Sequence, residues 1–270
     1  MILLNPMIYN LQTHLNTLNS MDIRDIYGDT NIEGIRIETS ITSPDKPLCV
    51  FGILETARGL FIEERMMEWL TPCYNVIRVY QKPSGKLFEY PALRLAQYLC
   101  TQAKNAPYCL YIHTKGAANW QTLQAAVISN WKTEFTSNKK NYISQMMTDN
   151  PVVCCPFTGL EKQTWFNGFF ANKAAWADLE TIKPNEDRFT FENLWKDYPN
   201  TKVYGIRENR VAGVIACRRV LREWAVNPDK AKLSLSDTDL MLFLRKREIE
   251  TATVKPAATP EKRKKNSGNN

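Results

Sequence analysis

Histidine is scarce in this chain: 270 residues contain two, His14 and His113. Several signatures are missing altogether. No Gly-x-Gly-x-x-Gly or Walker pattern occurs, which argues against dinucleotide and P-loop chemistry. No Gly-x-Ser-x-Gly elbow occurs, so a serine nucleophile of that kind is not indicated. No apolar stretch approaches the roughly 20 residues that cross a bilayer. The opening Met1-Ile-Leu-Leu-Asn-Pro carries no basic residue and no sustained apolar run, unlike a secretory signal. There is no Asn-x-Ser/Thr glycosylation sequon. The seven cysteines are odd in number and include no Cys-x-x-Cys, so the spacing of a zinc site is lacking. Several lie inside apolar runs such as Val153-Cys-Cys155, the pattern of buried reduced thiols in a cytoplasmic protein.

Net charge is +7, but much of it is local. Residues 251–270 hold Lys255, Lys262, Arg263, Lys264 and Lys265 against Glu261, or +4, and read as a disordered basic tail. The rest of the chain carries +3, weak grounds for specific nucleic-acid binding but compatible with a pocket for an anionic ligand.

The hydrophobic pattern predicts an α/β domain over residues 48–250, preceded by a helical or irregular extension over residues 1–47 with a helix over 8–18. Strands are expected at 48–54, 75–80, 108–112 and 152–155, and a strand or strand entrance at 165–171; residues 203–206 are a short apolar run. Helices are expected at 60–70, 90–103, 121–135, 140–148, 173–179, 189–197 and 240–250. In the 60–70 helix, Leu60, Met67 and Leu70 share one side, and Glu63, Glu64 and Arg65 are more exposed. The alternation of strand and helix favours a mostly parallel central sheet flanked by helices.

The stretch from Tyr108 to Gly116 holds the densest chemistry. Five mostly apolar residues run into His113-Thr-Lys-Gly116, which puts the polar residues at the carboxyl end of a strand, where open α/β sheets bind ligands. Lys115 can neutralise a diphosphate as a point charge, Thr114 can donate a hydroxyl hydrogen bond, and Gly116 lets backbone approach a ligand. His113 can bind phosphate, position a sugar hydroxyl, ligate a metal, or simply be satisfied by a backbone carbonyl. Elsewhere, Asn167 within Trp165-Phe-Asn-Gly168 must find partners if buried, either in the protein or among ligand hydroxyls. Trp165 can stack on a sugar or base. Arg188 and Glu192 stand four apart on the expected helix, where they can pair, or Glu192 can serve as a general base. Glu89 is accounted for by its place at a helix N-terminus. Asp237-Thr-Asp239 has the spacing of a metal–diphosphate clamp but reads as a helix cap.

Taken in order, these motifs resemble a family of glycosyltransferase-like proteins of bacterial polysaccharide loci and large viruses. The resemblance covers about residues 48–200. It rests on Phe88-Glu-Tyr-Pro91, Leu110-Tyr-Ile-His-Thr-Lys-Gly116, Asn130-Trp131-Lys132, Trp165-Phe-Asn-Gly-Phe-Phe170 and the run from Arg188 to Trp195. The strand ending in His-Thr-Lys-Gly is the most specific element. The chain departs from the family where Ser-Gly-Asn-Phe-Trp-Trp is usual and where Tyr-Glu more often starts the helix.

The resemblance implies a GT-A-like domain that moves a sugar from a nucleotide-diphosphate donor to a saccharide acceptor in surface polysaccharide synthesis. Lys115 and His113 then stabilise the departing diphosphate, in place of or alongside Mn²⁺ or Mg²⁺, and Glu192 is the candidate base. Thr114, Gly116, Trp131, Trp165, Asn167, Gly168 and Arg188 become donor- or substrate-binding candidates. Such an enzyme is expected in the cytoplasm, with the basic tail touching the anionic inner membrane face. The alternatives are a non-catalytic nucleotide-sugar or carbohydrate-binding relative, and an adaptor acting through the basic tail.

Overall fold

The computed structural model describes residues 23–32, 34–43, 45–83, 87, 89–102, 106–114, 122–156, 158, 162–164, 167–185, 190–191 and 193–205. The expected helices at 8–18 and 240–250, Asp237, Asp239 and the basic tail lie outside these residues.

The core strand is β2 (Leu48–Leu54), whose unbroken apolar run suits a strand covered on both faces. It pairs in parallel with β3 (Asn75–Gln81) on one side and β4 (Tyr108–His113) on the other. Helix α2 (Ala57–Cys73) links β2 to β3. Thr56 caps it, its side-chain oxygen accepting from the Gly59 amide at 2.9 Å. A Cβ at Gly59 would lie 1.9 Å from the Leu54 carbonyl oxygen, so only glycine lets the helix leave the strand this tightly. Helix α3 (Tyr90–Gln102) links β3 to β4, with Pro91 in its first turn as expected.

Two further helices, α4 (Thr122–Thr136) and α5 (Lys139–Met146), follow β4. Then come β5 (Val152–Cys155), β6 (Phe169–Asn172), the short helix α6 (Lys173–Asp178) and β7 (Lys202–Gly205). Ahead of β2 stand a short helix, α1 (Ile23–Tyr27), and β1 (Arg36–Ser40). The seven strands form one mixed sheet in the order β1-β3-β2-β4-β6-β5-β7. The expectation of parallel pairing holds for β3-β2-β4 and for β5-β7, whereas β1 and β6 run antiparallel to their neighbours.

The sheet divides two apolar layers. Phe61, Met66 and Leu70 of α2 pack with Val127, Trp131 and Phe135 of α4 against Phe51, Ile112 and Phe170. On the other face, Tyr27 of α1, Leu93 and Ala96 of α3 and Trp176 of α6 cover Val50, Tyr111 and Phe169. Buried polar side chains are tied down. Asn172 accepts from Val152 N–H and Ala175 N–H and donates to the Thr148 and Asn150 carbonyls. The six described cysteines are free thiols, five buried and Cys73 half-buried.

Three expectations are corrected. Residues 36–40, read as part of an extension, are an edge strand of the sheet. Glu63 is buried rather than exposed, because Arg78 pairs with it at 3.1 Å and the Tyr80 hydroxyl donates to it at 2.5 Å. The described residues of the expected 189–197 helix form successive turns, closed by bonds such as Asn193 N–H to Thr190 O and Lys196 N–H to Asn193 O.

Candidate functional site

Four segments meet beyond the carboxyl ends of β2 and β4. The strand order β3-β2-β4 reverses at β2, since the chain leaves it toward β3 and returns on its other side as β4. Crevices at such reversals are where α/β sheets hold ligands.

β4 delivers His113, in register with Gly52 of β2. A Cβ at Gly52 would stand 3.2 Å from Ala92 Cβ and 3.5 Å from His113 Cβ, so the small residue makes room for the imidazole and for the start of α3. Thr114 follows and is stitched to the end of β2. Its amide donates to Gly52 O at 2.9 Å and its hydroxyl oxygen accepts from Leu54 N–H at 3.1 Å. Thr114 is buried. Thr114, a ligand-donor candidate from the sequence, clamps the strand end through its amide and its hydroxyl oxygen.

Glu89 enters from the start of α3, where its carbonyl accepts the first helical bond, from Leu93 N–H at 3.1 Å. Its carboxylate reaches the centre of the cluster. Oε2 accepts from Asn167 Nδ2 at 2.6 Å and from the Tyr111 hydroxyl at 3.3 Å, and Oε1 lies 3.6 Å from His113 Nε2. Burial, and then the adjacent Glu89 charge, push the Tyr111 hydroxyl well above its ordinary pKa, so Tyr111 stays a protonated donor.

Asn167 arrives from the chain just ahead of β6. It is fully buried, and its backbone takes the left-handed conformation, φ 48°, that asparagine tolerates. The Thr164 hydroxyl donates to its Oδ1 at 3.2 Å, and the Asn167 amide N–H donates to the Thr164 carbonyl at 3.0 Å. Both ends of the side chain are therefore satisfied by protein, and Asn167 acts on Glu89. Gly168 lies flat on the Trp131 indole: a Cβ there would come within 2.4 Å of the ring. Trp131 is fully buried, with its ring edge-on to His113 at 5.7 Å between centroids. Trp131 and Gly168, donor-site candidates from the sequence, form the wall behind the histidine.

The structure thus brings together His113, Thr114, Trp131, Asn167 and Gly168 from the sequence-derived set. Lys115, Gly116, Trp165, Arg188 and Glu192 lie outside the described residues. Glu89 is the residue that sequence reasoning passed over. Its signal was the acidic residue beside the start of a helix that follows β3, for which a favourable helix dipole was explanation enough.

Chemically, the cluster offers one oriented carboxylate and one imidazole, with 19% and 13% of their side chains accessible, backed by apolar and aromatic walls. Among the described residues no three His, Cys, Asp or Glu side chains gather in a cation-binding group. Nor is any described helix long and apolar enough to cross a membrane. Comparisons with protein-family models, curated proteins and solved structures found no match to this chain.

Proposed function

We propose that the chain is a GT-A-like glycosyltransferase that moves a sugar from a nucleotide-diphosphate donor to a saccharide acceptor in polysaccharide synthesis. The observation that carries this reading is the meeting of Glu89, His113 and Asn167 at the reversal of strand order, directly ahead of Lys115 in the chain. A transferase of this kind needs a cationic group for the departing diphosphate and a proton acceptor for the attacking hydroxyl. Lys115 supplies the first in this reading. The basic tail meets an anionic membrane surface.

The test is a thermal-shift screen of the full chain against UDP, GDP, dTDP and ADP, each with and without Mn²⁺. The cognate nucleotide raises the melting temperature by mass action, and its identity names the donor base. Release of that nucleotide from its sugar donor then reads turnover. Lys115→Ala lowers turnover by orders of magnitude with the melting temperature preserved. Near-normal turnover in that variant rejects the diphosphate role. Nucleotide binding without turnover on any acceptor marks a binding protein, and loss of all binding on deleting residues 251–270 marks an adaptor.

A further inference from the structure

We infer that Glu89 and His113 form a two-point station for the attacking hydroxyl, with Glu89 as its general base; the inference rests on the transferase reading. Oε2 of Glu89 is held by Asn167 and Tyr111, which fixes the plane of the carboxylate and aims Oε1 at His113 Nε2. The separation of 3.6 Å is longer than a direct hydrogen bond. It suits one hydroxyl oxygen lying about 2.8 Å from each atom, giving its proton to the carboxylate and accepting one from the ring. The anchors come from a strand and a loop, and both are buried, whereas Glu89 and His113 keep part of their side chains in contact with solvent. That division, rigid support behind and partly accessible side chains in front, is what a positioned base requires.

In the step, the acceptor hydroxyl oxygen forms a bond to the anomeric carbon of the donor as its proton passes to Glu89 Oε1. The anomeric carbon–oxygen bond to the diphosphate breaks, and its electron pair leaves with the nucleoside diphosphate. With its ring proton on Nε2, His113 donates to the attacking oxygen and holds it in line. In hydrolysis, water takes the place of the acceptor. Asn167 touches neither reactant and is a positioning residue acting through Glu89.

The experiment compares Glu89→Gln and Glu89→Asp in the full chain, using the nucleotide sugar selected by the screen from UDP-glucose, UDP-galactose, GDP-mannose and dTDP-glucose. Glutamine keeps the shape and the acceptor that faces Asn167 and Tyr111 but cannot take a proton; aspartate keeps the charge at the cost of a methylene. A base predicts that E89Q loses about 100-fold or more in kcat, with the donor KM within twofold, while E89D retains more activity than E89Q. Formate added to Glu89→Ala raises its rate at least tenfold. Asn167→Ala lowers kcat with KM unchanged. A merely structural carboxylate gives the reverse order, E89Q above E89D, and no formate rescue, which overturns the inference while the transferase reading stands. A wild-type chain that releases no nucleotide from any donor overturns the transferase reading, and this inference with it.

Discussion

Asn167 donates its side-chain amide to Glu89 Oε2 at 2.6 Å, joining two residues 78 positions apart across the carboxyl end of the sheet. Asn167 makes this bond from a left-handed backbone, φ 48°, and the Tyr111 hydroxyl holds the same carboxylate oxygen. Asn167→Ala removes the amide and keeps the strained φ. We expect a loss of about 1–3 kcal/mol in stability, read from urea unfolding, in addition to the kinetic effect above. Asn167→Gly relieves the strain but not the lost bond, and unfolds at a denaturant concentration between those of alanine and wild type.

Gly168 and Trp131 make the tightest glycine contact near the site, since a Cβ added to the glycine would lie 2.4 Å from the indole. Gly168→Ala overpacks this point, at a cost of about 1–3 kcal/mol. A double-mutant cycle with Trp131→Phe checks the cause. If the indole is the obstacle, the pair shows a favourable coupling of at least about 0.5 kcal/mol, and additive losses refute it.

Thr114 separates a structural from a chemical role within the His-Thr-Lys-Gly motif. Thr114→Ser keeps the acceptor for Leu54 N–H and unfolds close to wild type. Thr114→Val keeps the shape but leaves that amide unpaired, at a cost of about 1–3 kcal/mol. Equal stability of the two variants would show that the strand clamp contributes nothing.

Alkaline pH loosens the fold. In the unfolded chain a tyrosine loses its proton near pH 10. Burial pushes Tyr27, Tyr74, Tyr111 and Tyr142 well above that value and Tyr80 up to about 12. Above pH 10 the unfolded state therefore binds fewer protons than the folded one. The stability linked to these groups is fully present below pH 10 and falls as pH rises from 10 through 12. Burial raises the thiols of Cys49, Cys100 and Cys154 as well, so urea midpoints followed by tryptophan fluorescence begin to fall near pH 9, where free thiols titrate, and fall more steeply between pH 10 and 11. A midpoint that rises over that interval contradicts the buried, protonated tyrosines.

The parallel centre of the sheet was legible because β2, β3 and β4 are apolar runs long enough to declare themselves and are separated by helix-length segments. The edge strand β1 was not. Arg36-Ile-Glu-Thr-Ser40 is half-exposed, and two of its charges, Arg36 and Glu38, are held by partners across the sheet, Glu55 and Arg78. The turns around residue 193 mimic a helix in sequence, since the apolar Phe191 and Trp195 stand four apart; both are buried. Of the strand or strand entrance expected over 165–171, residues 169–171 are strand, but the direction was not legible, since side-chain alternation carries no sign of which way a strand runs.

At the site, His113 and Thr114 could be placed at a strand end from the run before them, and Asn167 could be flagged as a polar residue in need of partners. The identity of the partner could not. Glu89 and Asn167 are brought together by the insertion of β6 beside β4, a long-range event that local pattern does not encode.

That insertion makes β6 a seam between two leaves of the sheet. β1, β3, β2 and β4 form one leaf and β5 and β7 the other, and β6, Phe169–Asn172, is the strand that pairs with both. Asn167 sits two positions before the seam begins. Any force that parts the leaves therefore pulls on the amide that aims Glu89, so the integrity of the whole sheet and the alignment of a single carboxylate are reported by the same short strand.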